Sequence, residues 1–548
     1  MRDKGIWAIL VILIVLVTIV SCAAMPSAGG VSESEVKSSS ATIYVPDNYS
    51  TIQAAVDAAT PGDMIIVRDG TYRENIDVKK RLTLKSENGS ENCIVQAEDP
   101  GDNVFSVTAD YVEISGFTVE AATWRWTNGG CVDKGNGGSS CFHCSIPWKL
   151  FVAGIYLHYA DYCNISNNKC SNNGRGIALE NSNNNCISNN TCSNNEKDSI
   201  RLLVSSNNKL KGNIMVGNGI YIRGYSLRDY THEIDESNTV KGKPVYYWKE
   251  GEGGRIPDGA GQVILVNCTN VTIENQNLSN ASVGMEVAYS SFITIKNNTC
   301  SNNNKGIYLV HSNKNRISNN NFINDTDNVF PPISTNALNP TLKEITPSIE
   351  LLFSDNNLIY LNNFINNTVS PSVSTNAWNS TEEITYIYRG TTYTNYLGNY
   401  WYDYEGTDAD GDGIGDTPYI MWYSMRSIEK DKCPLMQPWQ NYSLGENNFI
   451  NNTNNVHSYD SNNIWDSTEK ITYIYNGSQC TNYIGNFWGG YKGKYPAAEE
   501  IGSTGIWWDT PHGINSDNDY YPLMDRAENY FVSIENFFPA GNVICNCG

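Results

Sequence analysis

"CNISNNKCSNNGRGIALENSNNNCISNNTCSNNEKDSIRL", residues 163–202, has the Asn- and Ser-rich composition of a linker, yet it repeats itself. "ISNNKCSNN" begins at Ile165 and "ISNNTCSNN" at Ile187, 22 residues on. Gly154-Ile155-Tyr156-Leu157 likewise precedes Gly176-Ile177-Ala178-Leu179 by 22, and Ser199-Ile200-Arg201-Leu202 follows 23 later. Downstream, Ile295 and Ile317 head "IKNNTC" and "ISNNNF", and Gly284-Met285-Glu286-Val287 precedes Gly306-Ile307-Tyr308-Leu309 by the same 22. A disordered spacer has no reason to keep register, whereas stacked coils must. Each unit holds short strands with Ile, Leu or Val at every second place, one face for a core and one for water. Stacked in parallel about 4.8 Å apart, such strands set like residues above one another. Asn suits the bends because it tolerates left-handed backbone and because stacked carboxamides hydrogen-bond along a column. The expected fold is all-β, a parallel β-helix of about 22 residues per coil.

The N-terminal part fits the same scheme. "TIYVPDNYSTIQAAVDAATPGDMIIV" reads as a strand, one amphipathic helix over 51–59 and a second strand. A helix there would cover the open end of the apolar column, as a solenoid end requires. Before it, "MRDKG" and the apolar run over 6–20 form an export signal, too short to span a bilayer comfortably. "IVSC" makes Cys22 a candidate for lipidation, the alternative being ordinary cleavage or an uncleaved anchor. A polar tether over 23–40 follows.

Net charge is −21 and only 17% of residues are charged, which excludes nonspecific nucleic-acid binding. Fourteen cysteines beyond Cys22 permit disulfides in an exported protein. Sequons such as Asn164, Asn189, Asn270, Asn277 and Asn297 permit glycosylation. Cys170 and Cys192 share one column, with Cys300 equivalent in the later block, as small core side chains.

"IQAAVDAATPGDMIIVRDGTYRENI", "YVEISGF", the "GI-x-L … ISNN" units and "GKPVYYW" (residues 242–248) resemble the archaeal cell-surface proteins of the NosD-like family. The resemblance covers roughly residues 41–330. It implies a right-handed parallel β-helix of the pectin-lyase-like class. It also implies one of three functions: periplasmic copper handling, as in the family's namesake, carbohydrate binding, or sugar hydrolysis. Fold carries over from such a resemblance better than function does.

Prolines and a lost period over 331–350 mark an expected linker. Beyond it lies a duplicated irregular β module, copy 1 over 351–440 and a degenerate copy 2 over 441–548. "NNFINNT…AWNSTEEITYIYRGTTYTNYLGNYW" from Asn362 matches "NNFINNT…IWDSTEKITYIYNGSQCTNYIGNFW" from Asn447. Copy 1 contains "TDADGDGIGDTPY", where Asp408, Asp410, Asp412, the Ile414 carbonyl and Asp416 fall at positions 1, 3, 5, 7 and 9 of a calcium loop. A hard dication gathers oxygens, and alternate residues on a tight Gly-containing loop all turn inward. Position 12 is Tyr419 rather than Glu, so the expected role is a structural staple. Copy 2 offers only Asp517 and Asp519 in "NSDNDYYPLM", and no equivalent ion is expected there.

Two further sets carry candidate chemistry. A side loop over 123–150 brings together Cys131, Cys141, His143 and Cys144, which suit either zinc or copper or a loop-stapling disulfide, with Cys163 a candidate partner for the remaining thiol. Arg175, Lys197 and Lys305 each fall five residues after a column Cys, so they form a candidate basic rail for an anionic ligand, or else ordinary solvated corners. Positions 22 apart from Asp161, Glu180 and Asp198 are Asn183, Leu202 and Gly176, so no catalytic carboxylate pair emerges. The resulting expectation is an exported, calcium-stabilised surface protein, an envelope component or polysaccharide-binding module. A polysaccharide lyase or hydrolase and a copper-processing protein are the alternatives. Its partners are a polysaccharide or an envelope component, with the membrane reached only through the N-terminal anchor.

Overall fold

The computed structural model describes residues 40–126, 149–325, 347–444 (apart from 373 and 424–426) and much of 448–532. Cys22 and the tether lie outside these residues, as do Cys131, Cys141, His143 and Cys144.

The repeats stack as the period requires. Ile165 opposes Ile187 and Ile187 opposes Leu210 in parallel pairing, and Cys170 opposes Cys192 one strand along the coil. Three parallel sheets result, with their strands in sequence order, the first of them eight-stranded from Thr42–Val45 to Glu233–Ile234. Parallel crossovers built from L-residues take the right hand, and the protein is a right-handed parallel β-helix. Alternate side chains point inward, so Ile114, Ile165, Ile187 and Leu210 form a buried file, as do Val119, Cys170, Cys192 and Met215. The helix Ile52–Ala58 closes the N-terminal end, burying Ile52, Ala55 and Val56. Thr51 caps its first turn and the Glu74 carboxylate accepts the Ile52 and Gln53 N–H groups.

The two Asn residues of each "NN" pair do different work. Asn167, Asn189, Asn297 and Asn319 sit at φ 54–58°, in the left-handed region. Asn168, Asn190, Asn298 and Asn320, one residue later, are fully buried. The Asn298 N–H and Nδ2 both donate to Oδ1 of Asn320, whose own N–H and Nδ2 donate to Oδ1 of Asn362. Asn362 donates onward to Asn399, and Asn399 to the Asp431 carboxylate, which ends the ladder. Every rung donates in one direction, so the last group needs only to accept, and a carboxylate does only that.

The stack is not one column over 41–330. Lys241 (φ 51°) and Gly242 (φ 74°) form a tight turn, and Thr239–Val240 pairs antiparallel with Lys243 and Pro244. A second stack then begins at Lys243–Lys249 with its own core, which includes Met285, Ile295, Ile307, Ile317 and Phe322. The outer face of that stack lies across the open end of the first. Ile264, Val266, Ala288, Tyr308 and Val310 pack with the first stack's core. The edge strand Ile220–Arg223 finds its acceptors there: Ile220 N–H donates to Gln262 Oε1 (3.0 Å), Gly219 N–H to Ser282 Oγ (3.2 Å) and Ile222 N–H to Glu286 Oε2 (3.3 Å). An edge strand left open would template pairing with another chain, and these side chains block it.

Nor does the β-helix end at 330. Ile307 opposes Ile349, Arg316 opposes Leu358 and Phe322 opposes Phe364, each 42 residues on. The chain is therefore back in register after the proline-rich segment, which adds about one coil's length to the spacing. Of the expected linker, the strand Pro347–Leu352 is a rung of the stack, and residues 331–346 lie outside the described residues. Copy 1 of the C-terminal module starts inside the stack for the same reason. Phe364 stacks on Phe322 (5.3 Å) and on Trp401 (4.3 Å), which joins the file as its last rung.

Candidate functional site

The acidic loop is held by a β-hairpin, Ile384–Tyr388 with Thr391–Asn395. The Tyr386 hydroxyl donates to the Asp412 carbonyl (2.9 Å) and the Tyr442 hydroxyl to that of Gly413. Gly411 (φ 75°) and Gly413 (φ 91°) allow the bend, and Gly413 lies so close to Tyr388 that no Cβ fits. Asp408, Asp410 and Asp412 each bring a carboxylate oxygen within 4.8 Å of the others, with no cation paired to them among the described residues. Burial, then these three carboxylates, push the Tyr386 hydroxyl upward. Asp416 turns elsewhere: its Oδ2 accepts from the Thr407 hydroxyl (2.8 Å) and the Ala409 N–H (3.1 Å) and closes the loop. Ile414 is bridged to Leu435.

Copy 2 aligns differently from the sequence expectation. Met436 N–H donates to Gly413 O, and Met524 N–H to Gly505 O. Ile414 bridges Leu435 as Ile506 bridges Leu523. The counterpart of the acidic loop is thus "EEIGSTGIW", residues 499–507, and not the Asp517–Asp519 strand. Asp519 corresponds instead to Asp431: the two accept the indole N–H of Trp488 (2.8 Å) and of Trp401 (2.9 Å) respectively. The repeated "PLM" after each Asp was the signal that the first alignment passed over.

The basic rail is rearranged by a single residue. Ile177 opposes Ile200 at a spacing of 23, so Asp198 stands over Arg175 where Lys197 was expected. Arg175 Nε donates to Asp198 Oδ2 (3.1 Å), and Lys197 is buried. Lys305 approaches from the second stack, 3.5 Å from the Glu350 carboxylate and 5.1 Å from the centre of the Tyr221 ring. Arg175 and Lys305 do converge, at the inner angle between the stacks, but each with a carboxylate partner, while Lys197 is buried beside them. Ser282 Oγ and Asn304 Nδ2 of the second stack both reach the Lys197 carbonyl.

Around them the outer face of the first stack presents Tyr156, Glu180, Arg201, Tyr221 and Arg223, of which the sequence reading weighed only Glu180, as a catalytic carboxylate without a pair. The Tyr156 hydroxyl donates to Glu180 Oε2 (2.6 Å). The Arg201 guanidinium lies 6.0 Å from the centre of the Tyr221 ring, and Tyr221 meets Tyr308 edge-on at 6.0 Å. Burial, then the neighbouring Arg201, pull Arg175 down to about 10. Beneath them Glu286 is fully buried, and burial raises its carboxyl well above the usual range. Tyr221, Arg175 and Lys305 keep part of their surface exposed at the inner angle between the two stacks.

Most of the described cysteines are core residues, while Cys433 and Cys480 are half-buried. Cys93, Cys163, Cys170, Cys192, Cys268 and Cys300 are free and buried. Cys163 pairs with no other cysteine; among the described residues Cys186 is the one in a disulfide, to a partner outside them.

Among known proteins, a family model described as "Periplasmic copper-binding protein (NosD)" matches residues 89–257, 229–339 and 255–406, together more than half of the chain. A "Cell surface glycoprotein" of the archaeon Methanothermus fervidus is 42% identical over 73 residues, 13% of this chain and 12% of that relative's length. Among solved structures, the A-module of a mannuronan C-5 epimerase from Azotobacter vinelandii is 15% identical, with 60% of this chain and 93% of that one covered and a TM-score of 0.28. An alginate lyase from Paenibacillus sp. is 15% identical, covering 62% and 98%, with a TM-score of 0.23.

Proposed function

This chain belongs to the NosD family, and from that premise we propose that it is an exported cell-surface β-helix that binds polysaccharide, its C-terminal module stapled by calcium. The observation that carries the reading is the crevice between the two stacks. Its Tyr, Arg and Lys side chains are fixed on rigid strands, and a concave site with aromatic walls and few polar anchors suits a sugar chain. The kinship of one stretch to a surface glycoprotein supports the location. Asp408, Asp410 and Asp412 supply hard oxygen donors on a loop that the hairpin tyrosines already orient, and calcium relieves their mutual repulsion. A glycan array run with and without calcium tests the reading. Retention of glycan without turnover supports it, release of shortened or unsaturated product supports a lyase or hydrolase instead, and no retention in either buffer refutes it.

The family's description favours copper as a second reading. Among the described residues the one metal-competent group of His, Cys, Asp and Glu is all carboxylate, which does not fit a soft ion. Copper would fall to Cys131, Cys141, His143 and Cys144. Replacing Cys141 and Cys144 together by Ser, with bound copper measured on the intact protein, decides it: unchanged binding removes this option.

A further inference from the structure

We propose that the crevice selects an anionic sugar, gripping its carboxylate or sulfate between Arg201 and Arg223. This rests on the glycan-binding reading above and adds the chemical class of the ligand.

The two arginines lie on adjacent strands, Ile200–Leu203 and Ile220–Arg223, with Arg201 opposite Tyr221 and Leu203 opposite Arg223. The carboxylates nearby are already engaged. Asp198 holds Arg175, Glu350 holds Lys305 and Glu180 accepts the Tyr156 hydroxyl, while Glu286 lies beneath, fully buried. Neither Arg201 nor Arg223 has a carboxylate within ion-pair distance among the described residues, and the Arg201 Nε is buried with no acceptor. In a chain with 58 acidic and 37 basic residues, guanidiniums left without acid are not a product of composition. A buried N–H without an acceptor costs stability, and it persists in a fold where something else is served by it.

The geometry suits an oxyanion. Arg201 is steadied by the Tyr221 ring, which leaves its planar fork to meet a two-oxygen acceptor. Tyr221, on the coil next to Arg201, gives a sugar ring an apolar wall beside that fork. Arg201 is half-buried and Arg223 exposed, so the first contact is screened less than the second.

The test is calorimetric titration of the full-length protein with four probes: an oligogalacturonate, its carboxyl-reduced neutral counterpart, dextran sulfate and dextran. Wild type is expected to bind an anionic probe at least about tenfold tighter than its neutral counterpart, the difference that one charge-assisted contact makes. The galacturonate and sulfate arms identify which anion is the natural kind. Arg201→Met should erase the preference while Arg201→Lys keeps part of it, and Arg223→Met should weaken it independently, each checked by an unchanged thermal melt. A folded Arg201→Met or Arg223→Met with wild-type affinities overturns the proposal. Equal affinity for charged and neutral partners also overturns it while leaving glycan binding intact. No binding of any probe removes both.

Discussion

Replacing each Asn of the pair Asn319–Asn320 by Gly separates backbone from side-chain demand in adjacent residues. Asn319 stands at φ 58°, which Gly adopts freely, so Asn319→Gly should change stability by no more than about 0.5 kcal/mol. Asn320 is fully buried, and its Oδ1 accepts both the N–H (2.9 Å) and the Nδ2 (3.0 Å) of Asn298. Its Nδ2 donates to the carbonyls of Ile295 (2.9 Å) and Ser318 (3.0 Å) and to Asn362 Oδ1 (3.0 Å). Asn320→Gly strands the Asn298 N–H and removes a donor from the coils on both sides. At about 1–3 kcal/mol per stranded buried group, plus about 1 for the added backbone freedom, the cost is roughly 3–6 kcal/mol. A stack of coils does not unfold in one step, so a single midpoint would blur the effect. Hydrogen exchange read by mass spectrometry resolves it: peptides covering 293–301 and 358–365 should lose protection in Asn320→Gly and keep it in Asn319→Gly. Equal loss in the two variants, or a cost below about 1 kcal/mol at Asn320, would refute the division of labour.

Asp325 occupies an Asn position in a parallel ladder, accepting from the N–H and Nδ2 of Asn303, and burial pushes its carboxyl from the usual 3.8 up to about 7. The fold therefore keeps this proton longer than the unfolded chain, and stability should fall as pH rises from about 4 to about 7. Asp325→Asn should flatten that slope and raise stability at pH 8, and a pH-stability curve of the same shape in both proteins would count against it. Asp410 is exposed and accepts one long hydrogen bond (3.4 Å), so Asp410→Asn should cost the apo fold little while abolishing the calcium-induced rise in melting temperature, about 2.7 kcal/mol at 100-fold excess over Kd. A melt that calcium leaves unchanged in wild type would refute the staple. Burial raises the thiols of Cys93 and Cys163 to about 12, so in an Ellman assay they should stay unreactive until denaturant is added. Rapid labelling of either in the native protein would refute their placement in the core.

Local order was legible in the sequence wherever one residue type serves one repeated need. The 22-residue period holds because a coil of fixed circumference must return each Ile to its file, as Ile165 does beneath Ile187. The acidic cluster was legible because its carboxylates lie within a few residues of one another, whereas the contact of Asp416 Oδ2 with Thr407 within the loop was not. The rail failed on one inserted residue. A coil of 23 places a carboxylate over Arg175, and periodicity alone does not reveal where an extra residue is absorbed.

The fold-back at Lys241 and Gly242 was out of reach for a deeper reason. Hydrophobic alternation says which side chains face a core, but not which core, and both stacks carry the same alternation. In the second stack the outer positions of the longest strands are apolar as well: Ile264, Val266, Ala288 and Val310 are buried on the face that a lone β-helix would give to water. Strands apolar on both faces are buried on both faces, and that double run, with Gln262 and Glu286 set among it, marked a sheet destined to cover something. What it covers is the last coil of the first stack, and the same contact that closes that end forms the angle in which Arg201 and Arg223 stand without acidic partners. The inner angle is thus a product of end-capping: in a single continuous column the outward Tyr221 and Arg223 would have faced water with no second stack beside them.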